Sequence, residues 1–207
     1  MNIALALSGG GFRATVFHLG VLARLAEENR LEDIILLSTV SGGSLCVGMV
    51  FSLNQYRFPS SADFIHKILP EARRLLTTVD LQSGLLRYSL ARFWKVFTST
   101  RAGALSALMQ KRWGITAQLS DLPEKPRWMI NATCYETGKN WRFEQFRMGD
   151  YRFGYTYDTN IPLTDAMAAS AGFPGLIGAL MIDTTKFTWF NYLEKSAVNP
   201  LRASVSE

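Results

Sequence analysis

Residues 34–44 of the chain read IILLSTVSGGS, an apolar run that ends in a turn rich in serine and glycine. A continuous apolar run of this length is typical of a β-strand that is buried on both faces. The turn approaches the G-x-S-x-G pattern that presents a serine nucleophile between a strand and a helix, but Thr39 replaces the first glycine. Ser41 directly follows the strand, whereas Ser44 falls in the first helical turn, where serine is a common capping residue. Ser41 is therefore the predicted nucleophile, and a plain glycine turn without chemistry is the alternative.

The rest of the chain alternates strand and helix patterns around this turn. Residues 2–7 are apolar and run into three glycines, residues 14–28 repeat apolar side chains at helical spacing, and residues 44–53 predict a second, buried helix. Strand, glycine turn and helix in repetition are typical of a parallel sheet covered by helices. The sequence predicts one α/β domain over residues 1–207, with three layers (α/β/α) and a central, mostly parallel sheet.

Composition limits the class of protein and its location. The chain has 207 residues, of which 48% are hydrophobic and 19% charged, as in ordinary globular proteins. No apolar run approaches the roughly 18–20 residues that span a bilayer, and no positive charge precedes the short apolar start, so we expect no signal peptide. Cys46 and Cys134 lie in apolar contexts that suggest no disulfide framework. We expect a cytoplasmic protein, with peripheral contact at the membrane.

A second glycine-rich turn, Gly9–Ala14 (GGGFRA), follows the first predicted strand. It approximates a dinucleotide-binding loop, but the acidic residue expected after the second strand is missing, because Glu32 and Asp33 precede that strand. A phosphate-binding loop of the Walker type would need Lys and Ser or Thr where Arg13 and Ala14 stand. Free backbone N–H groups at a helix N-terminus suit any oxyanion, including the one formed in acyl transfer. A tight turn without a ligand is the other interpretation.

A nucleophilic serine needs a base, and the histidines of this chain do not fit the usual pattern. The chain has two histidines, His18 and His66. The serine–acid–histidine order of α/β-hydrolases cannot be satisfied, because no histidine follows His66. A carboxylate must therefore act as the base if the serine is catalytic.

At this point the sequence resembles the patatin-like phospholipases, which are serine lipid acyl hydrolases with a Ser–Asp dyad. The resemblance runs from about residue 2 to residue 183. It rests on four segments in the order of the family: GGGFRA (9–14), FHLGVLARL (17–25), SGG (41–43) and AASAGFPGLIG (168–178).

The resemblance implies a patatin-like fold and hydrolysis of acyl esters of lipids through an acyl-serine intermediate on Ser41. It implies that the backbone amides of Gly10, Gly11 and Gly42 hold the oxyanion and that Arg13 supports the loop. The substrate is a lipid ester, and neither a metal nor an organic cofactor is expected.

The dyad aspartate of the family is not found in this sequence. Patatins carry it in D-G-G or D-G-A after the F-P-G segment, and the chain contains neither tripeptide. Asp183 is a candidate, although Thr184 and Thr185 follow it, and Asp165 has the features of a first-turn helix residue. We expect a domain that lacks the C-terminal part with the aspartate. The alternative function is a non-catalytic lipid- or membrane-binding module that keeps the fold without the dyad acid.

Charge is distributed unevenly in a chain whose net charge is +5. No acidic residue lies between Asp80 and Asp121, and apolar and aromatic side chains repeat at helical spacing over residues 85–97, next to Arg87, Arg92 and Lys95. This pattern is typical of a helix that lies on anionic lipid, so region 85–97 is a predicted membrane contact. A core helix with solvated basic side chains fits equally well. We expect no nucleic-acid partner, because no recognised motif accompanies the charge.

Overall fold

The computed structural model describes residues 1–78, 101–173, 177–191 and 197–198. Within these ranges eight strands form one sheet and follow one another in chain order. The strands are β1 (Ile3–Leu7), β2 (Ile34–Val40), β3 (Arg127–Thr133), β4 (Asn140–Glu144), β5 (Arg147–Asp150), β6 (Gly154–Thr156), β7 (Trp189–Phe190) and β8 (Ala197–Val198).

Six α-helices are described, with a π-helical turn at Phe64–Ile68 between the third and the fourth. They are α1 (Gly11–Glu27), α2 (Gly42–Leu53), α3 (Ser61–Asp63), α4 (Leu69–Thr78), α5 (Arg101–Trp113) and α6 (Leu163–Ser170). Short 3-10 turns lie at Leu31–Asp33, Leu119–Asp121 and Thr184–Lys186. None of the helices in the described ranges is long and apolar enough to cross a membrane.

The α/β class is confirmed, but the sheet is mixed. Strands β1, β2 and β3 pair in parallel. Each later pair, from β3–β4 to β7–β8, is antiparallel. The expectation of a mostly parallel sheet therefore holds for the first three strands only. The reason is the connections: helices join the parallel strands, whereas β3, β4 and β5 are joined by short turns, which suit antiparallel neighbours.

Helices pack on one face of the parallel strands. Leu7 of β1 pairs with Thr39 of β2, and both are buried, as is Leu37 on the same face. Helix α2 packs on β1 and β2, α6 packs on β3, and α1 and α5 pack on α2 and α6 respectively. On the other face Ala6 and Val40 are exposed. A helical layer on that second face stays a prediction.

The core lies between these helices and the sheet, and aromatic side chains anchor it. Phe51 of α2 stacks on Trp128 of β3, with ring centroids 5.3 Å apart. Trp141 and Trp189 meet edge-to-face at 5.5 Å farther along the sheet. Helix α2 therefore sits over the middle of the parallel strands, and its first residue lies at the edge where β1, β2 and β3 end.

Candidate active site

Ser41 occupies the sharp turn between β2 and α2. Its backbone has φ 50° and ψ −113°, a region that residues other than glycine rarely adopt. Ser41 is the N-cap residue of α2, yet its side chain makes no capping hydrogen bond. Among the described residues no side chain is hydrogen-bonded to its hydroxyl, which is therefore available for chemistry. Strain of this kind is a known feature of turns that present a nucleophile.

A cavity of about 820 Å³ opens beside Ser41. Its walls come from the end of β3, the hairpin to β4, the C-terminus of α6 and residues 179–182. Most of the lining side chains are apolar, and they include Trp141, Phe143, Phe153 and Ile182. A space of this size with apolar walls and few polar groups is typical of a site for an apolar ligand.

The first glycine turn lies against the elbow. A Cβ atom placed on Gly9 would lie 3.2 Å from Cβ of Ser41, and Gly9 and Gly10 both line the cavity. Gly10 has φ 136° and caps α1, which begins at Gly11, where φ is 61°. First-turn N–H groups of a helix have no partner within the helix, so α1 offers free donors beside Ser41. Gly42 is the first residue of α2, as Gly11 is of α1, so its N–H also has no partner within its helix.

Close contact between the two turns requires glycine. A Cβ atom on Gly42 would overlap the carbonyl oxygen of Gly11, and one on Gly43 would lie 2.5 Å from the carbonyl oxygen of Leu7. The N-terminus of α2 therefore packs directly on the backbone that follows β1. This contact brings the two helix N-termini to one point.

Two side chains of α1 support the glycine turn, and sequence reasoning did not identify them. The Thr15 hydroxyl lies 3.0 Å from the Gly42 carbonyl, to which it can donate, and 3.3 Å from that of Gly11. His18 Nε2–H donates to the Ser8 carbonyl at 2.9 Å. Both side chains are buried, and with Gly11 they follow the 4- and 3-residue spacing of one helix face. The sequence signal that could have identified Thr15 and His18 is their position as polar residues on an otherwise apolar helix face.

The predicted support of the loop by Arg13 finds no contact among the described residues and stays a prediction. The Arg13 side chain is exposed, and it makes no hydrogen bond or ion pair with any described residue. The reason is its position on α1, because it does not share the buried face of Thr15 and His18. Among the described residues, the contacts that hold the loop come from those two.

Ser44, the other serine of the turn, is fully buried. Its hydroxyl lies 2.8 Å from Thr39 Oγ1 and 2.8 Å from Ser170 Oγ. Ser44 makes no capping bond, so the capping role that its position suggested is not observed. The structure separates the two serines, with Ser41 at the cavity and Ser44 in the interior.

No hydrogen bond among the described residues joins Asp183 to Ser41. Asp183 is exposed, is absent from the cavity wall and caps the turn at Thr184–Lys186, where its carboxylate accepts the Thr185 hydroxyl at 2.6 Å. That hydrogen bond lowers the pKa of the Asp183 carboxyl, which makes it a weaker base. Among the described residues, Glu136 is the carboxylate in the cavity wall, and it accepts the Cys134 thiol at 3.2 Å.

Asp165 lies in the first turn of α6, as its sequence context suggested. Burial raises the pKa of its carboxyl, and the Ser106 hydroxyl donates to it at 2.5 Å. It is at the opposite end of α6 from Ser170, which contacts the elbow. No carboxylate in the described ranges is hydrogen-bonded to Ser41.

The predicted membrane contact, region 85–97, lies outside the described ranges.

Comparisons with known proteins agree with this fold. Solved structures of human GIVD cytosolic phospholipase A2 superpose on the chain. The complex with methyl gamma-linolenyl fluorophosphonate gives a TM-score of 0.59 at 14% identity, covering 83% of this chain and 29% of that one. The complex that also contains terbium chloride gives 0.58 at 15% identity, covering 87% and 30%. This chain therefore spans less than a third of those proteins, and the likeness is one of fold.

None of the curated proteins matches the chain in sequence. A family model does match: the model of the patatin-like phospholipases covers residues 5–191, which include both glycine turns, Ser41 and the cavity wall. The chain therefore belongs to the patatin-like phospholipase family.

Proposed function

We propose that the chain is a lipid acyl hydrolase in which Ser41 attacks the ester carbonyl. The observation that carries the proposal is the position of Ser41, on a strained turn between a glycine loop and an apolar cavity of about 820 Å³. A lipid ester fits this arrangement because its acyl chain needs an apolar space and its carbonyl needs donors beside the nucleophile.

The backbone amides at the two helix N-termini are the donors for the oxyanion. The Ser41 N–H is already donated to Ser170 Oγ at 2.9 Å, so it is not one of them. Gly10, Gly11 and Gly42 remain, at positions where a helix leaves N–H groups free. One such donor contributes about 3 kcal/mol to stabilising the transition state. A carboxylate base would take the Ser41 proton as Oγ attacks the ester carbonyl. The acyl C–O bond then breaks, the alcohol leaves with that proton, and water hydrolyses the acyl-serine to the free acid and Ser41.

A non-catalytic lipid-binding module is the second candidate. The observation in its favour is that no carboxylate in the described ranges is hydrogen-bonded to Ser41. The cavity would then hold an acyl chain without cleaving it. Binding of a fatty acid with no release of product from any ester would identify this function.

Ester hydrolysis should depend on the length of the acyl chain. Each methylene that enters the cavity contributes about 0.8 kcal/mol, or about fourfold in kcat/KM. From butanoyl to octanoyl esters of 4-nitrophenol, kcat/KM should rise by up to about 200-fold. The series is measured below the aggregation concentration of each ester, with Ser41→Ala as the background. Equal values across the series would show that the cavity does not bind the acyl group.

Exposed apolar side chains at the cavity mouth should contact lipid. Phe173 and Met181 line the cavity, yet they are 68% and 75% exposed. Burying one such side chain contributes about 2 kcal/mol, so Phe173→Asp and Met181→Asp should each weaken binding to lipid vesicles at least about tenfold. Phe146, 44% exposed in the turn between β4 and β5 and absent from the cavity wall, provides the control. If Phe146→Asp weakens vesicle binding as much as the other two, the mouth is not the contact surface.

The predicted contact of region 85–97 with anionic lipid is a separate proposal, because that region lies outside the described residues. Its dependence on salt distinguishes it. Cationic contacts weaken as the Debye length falls from about 10 Å at 0.1 M to about 3 Å at 1 M, whereas apolar insertion at the mouth does not. Binding lost in high salt would favour the basic region.

A further inference from the structure

A continuous chain of hydrogen bonds runs beneath the elbow and connects it to β3. Trp128 Nε1–H donates to Thr39 Oγ1 at 2.9 Å, and the Thr39 and Ser44 hydroxyls lie 2.8 Å apart. The Ser44 and Ser170 hydroxyls also lie 2.8 Å apart, and the Ser170 hydroxyl donates to the Asn131 carbonyl at 2.7 Å. The chain thus joins β2, α2, α6 and β3.

The two ends of the chain fix the direction of every proton in it. The indole of Trp128 can only donate, and the carbonyl of Asn131 can only accept. Ser170 gives its one proton to that carbonyl, so Ser44 must donate to Ser170. Thr39 must then donate to Ser44, while it accepts the Trp128 N–H. All three hydroxyls belong to residues that are at least nine-tenths buried, so water cannot replace a lost partner without a structural opening.

Ser170 is the point where this chain meets the nucleophile turn. Its oxygen accepts the Ser44 hydroxyl and also the backbone N–H of Ser41 at 2.9 Å, so both of its lone pairs are used. The N–H of a strained residue is thereby tied to a fully bonded hydroxyl. Rotation of the Ser41 peptide would break this bond and leave Ser170 with an unused lone pair in the interior.

We infer that Ser170 is a positioning residue, which holds the Ser41 backbone at φ 50° and so aims the Ser41 hydroxyl at the glycine loop. Thr39 extends this support, because its hydroxyl links Ser44 to Trp128. A residue without a side chain at position 39, such as the glycine of the G-x-S-x-G pattern, would leave the chain open at this point. The catalytic part of this inference rests on the proposed function, whereas the positioning of the elbow does not.

Amide hydrogen exchange measures the positioning without any need for catalysis. Ser170→Ala removes the acceptor of the Ser41 N–H, so exchange of the Ser41 amide should become about tenfold faster. Thr39→Val keeps the shape of the side chain and removes its hydroxyl, so it should also speed exchange of the Ser41 amide, by a smaller factor. Thr39→Ser keeps the hydroxyl and should exchange at the wild-type rate. The control is Ser106→Ala, because Ser106 is equally buried and bonds Thr164 and Asp165, away from the elbow. Unchanged Ser41 exchange in folded Ser170→Ala overturns the inference.

Labelling by a long-chain fluorophosphonate tests the catalytic consequence. In Ser170→Ala the maximal labelling rate should fall about tenfold, while the probe concentration at half-maximal rate stays within about twofold, because the cavity is intact. Ser106→Ala should change neither value. If the maximal rate is unchanged although Ser41 exchange is faster, Ser170 has a structural role alone and the positioning of the reaction is refuted. If the wild-type chain is not labelled at all, the proposed function fails, and the exchange experiment still decides whether Ser170 holds the elbow.

Discussion

Replacing Ser41 with alanine should abolish ester hydrolysis and fluorophosphonate labelling, a loss on the order of 10³-fold or more. The reason is that Ser41 lines the cavity and its hydroxyl has no hydrogen-bond partner among the described residues. The alanine variant should keep its fold, because the Ser41 hydroxyl makes no hydrogen bond there that stabilises the turn. Product release in a continuous ester assay and incorporation of the probe measure the two losses.

Ser44→Ala is the matched control, because it removes the other hydroxyl of the same turn. The buried Ser44 hydroxyl cannot reach a substrate, so this variant should still be labelled, at a reduced rate that follows from its open hydrogen-bond chain. Its free energy of unfolding should fall by about 1–3 kcal/mol, since Thr39 loses a buried acceptor. Labelling that persists in Ser41→Ala and disappears in Ser44→Ala would show that Ser44, and not Ser41, is the nucleophile.

Gly43→Ala should destabilise the whole domain by about 3 kcal/mol. The added Cβ would lie 2.5 Å from the Leu7 carbonyl oxygen and 2.8 Å from Leu7 Cβ, so α2 must move away from β1. Gly20 provides the comparison, because it is exposed within α1 and a Cβ there meets no atom within 4 Å. Gly20→Ala should stabilise the domain by about 0.5–1 kcal/mol through helix propensity. Urea unfolding gives both values, and equal midpoints for the two variants would contradict the close packing of α2 on β1.

The first half of the fold could be predicted because its signals are local. The apolar run over Ile34–Val40 has the bounds of β2, and the two glycine turns lie where strand and helix patterns change. The mixed character of the sheet could be predicted only in part. The turn at Gly138, where φ is 64°, is a local signal for the hairpin of β3 and β4. Which strands pair after β4 depends on long-range contacts that hydrophobic periodicity does not reveal.

The residues of the site also differ in whether a local motif or only the fold identifies them. Ser41 and the glycines beside it belong to short motifs, so their sequence spacing was enough to select them. Ser170 lies 129 residues from Ser41 along the chain, and only the fold shows that its hydroxyl accepts the Ser41 N–H. Thr15 and His18 are similar cases, since their bonds to the glycine turns require the packing of α1 on α2. The base could not be predicted because its motif is absent from the sequence.

Mapping the fluorophosphonate adduct on the wild-type chain tests the central claim most directly. Trypsin releases one peptide between Arg30 and Arg57, and it contains Ser41 together with Ser38, Ser44 and Ser52. Fragment masses of the labelled peptide distinguish these four serines. We expect a single adduct, on Ser41. An adduct on another residue, or a wild-type chain that stays unmodified at saturating probe, would contradict it.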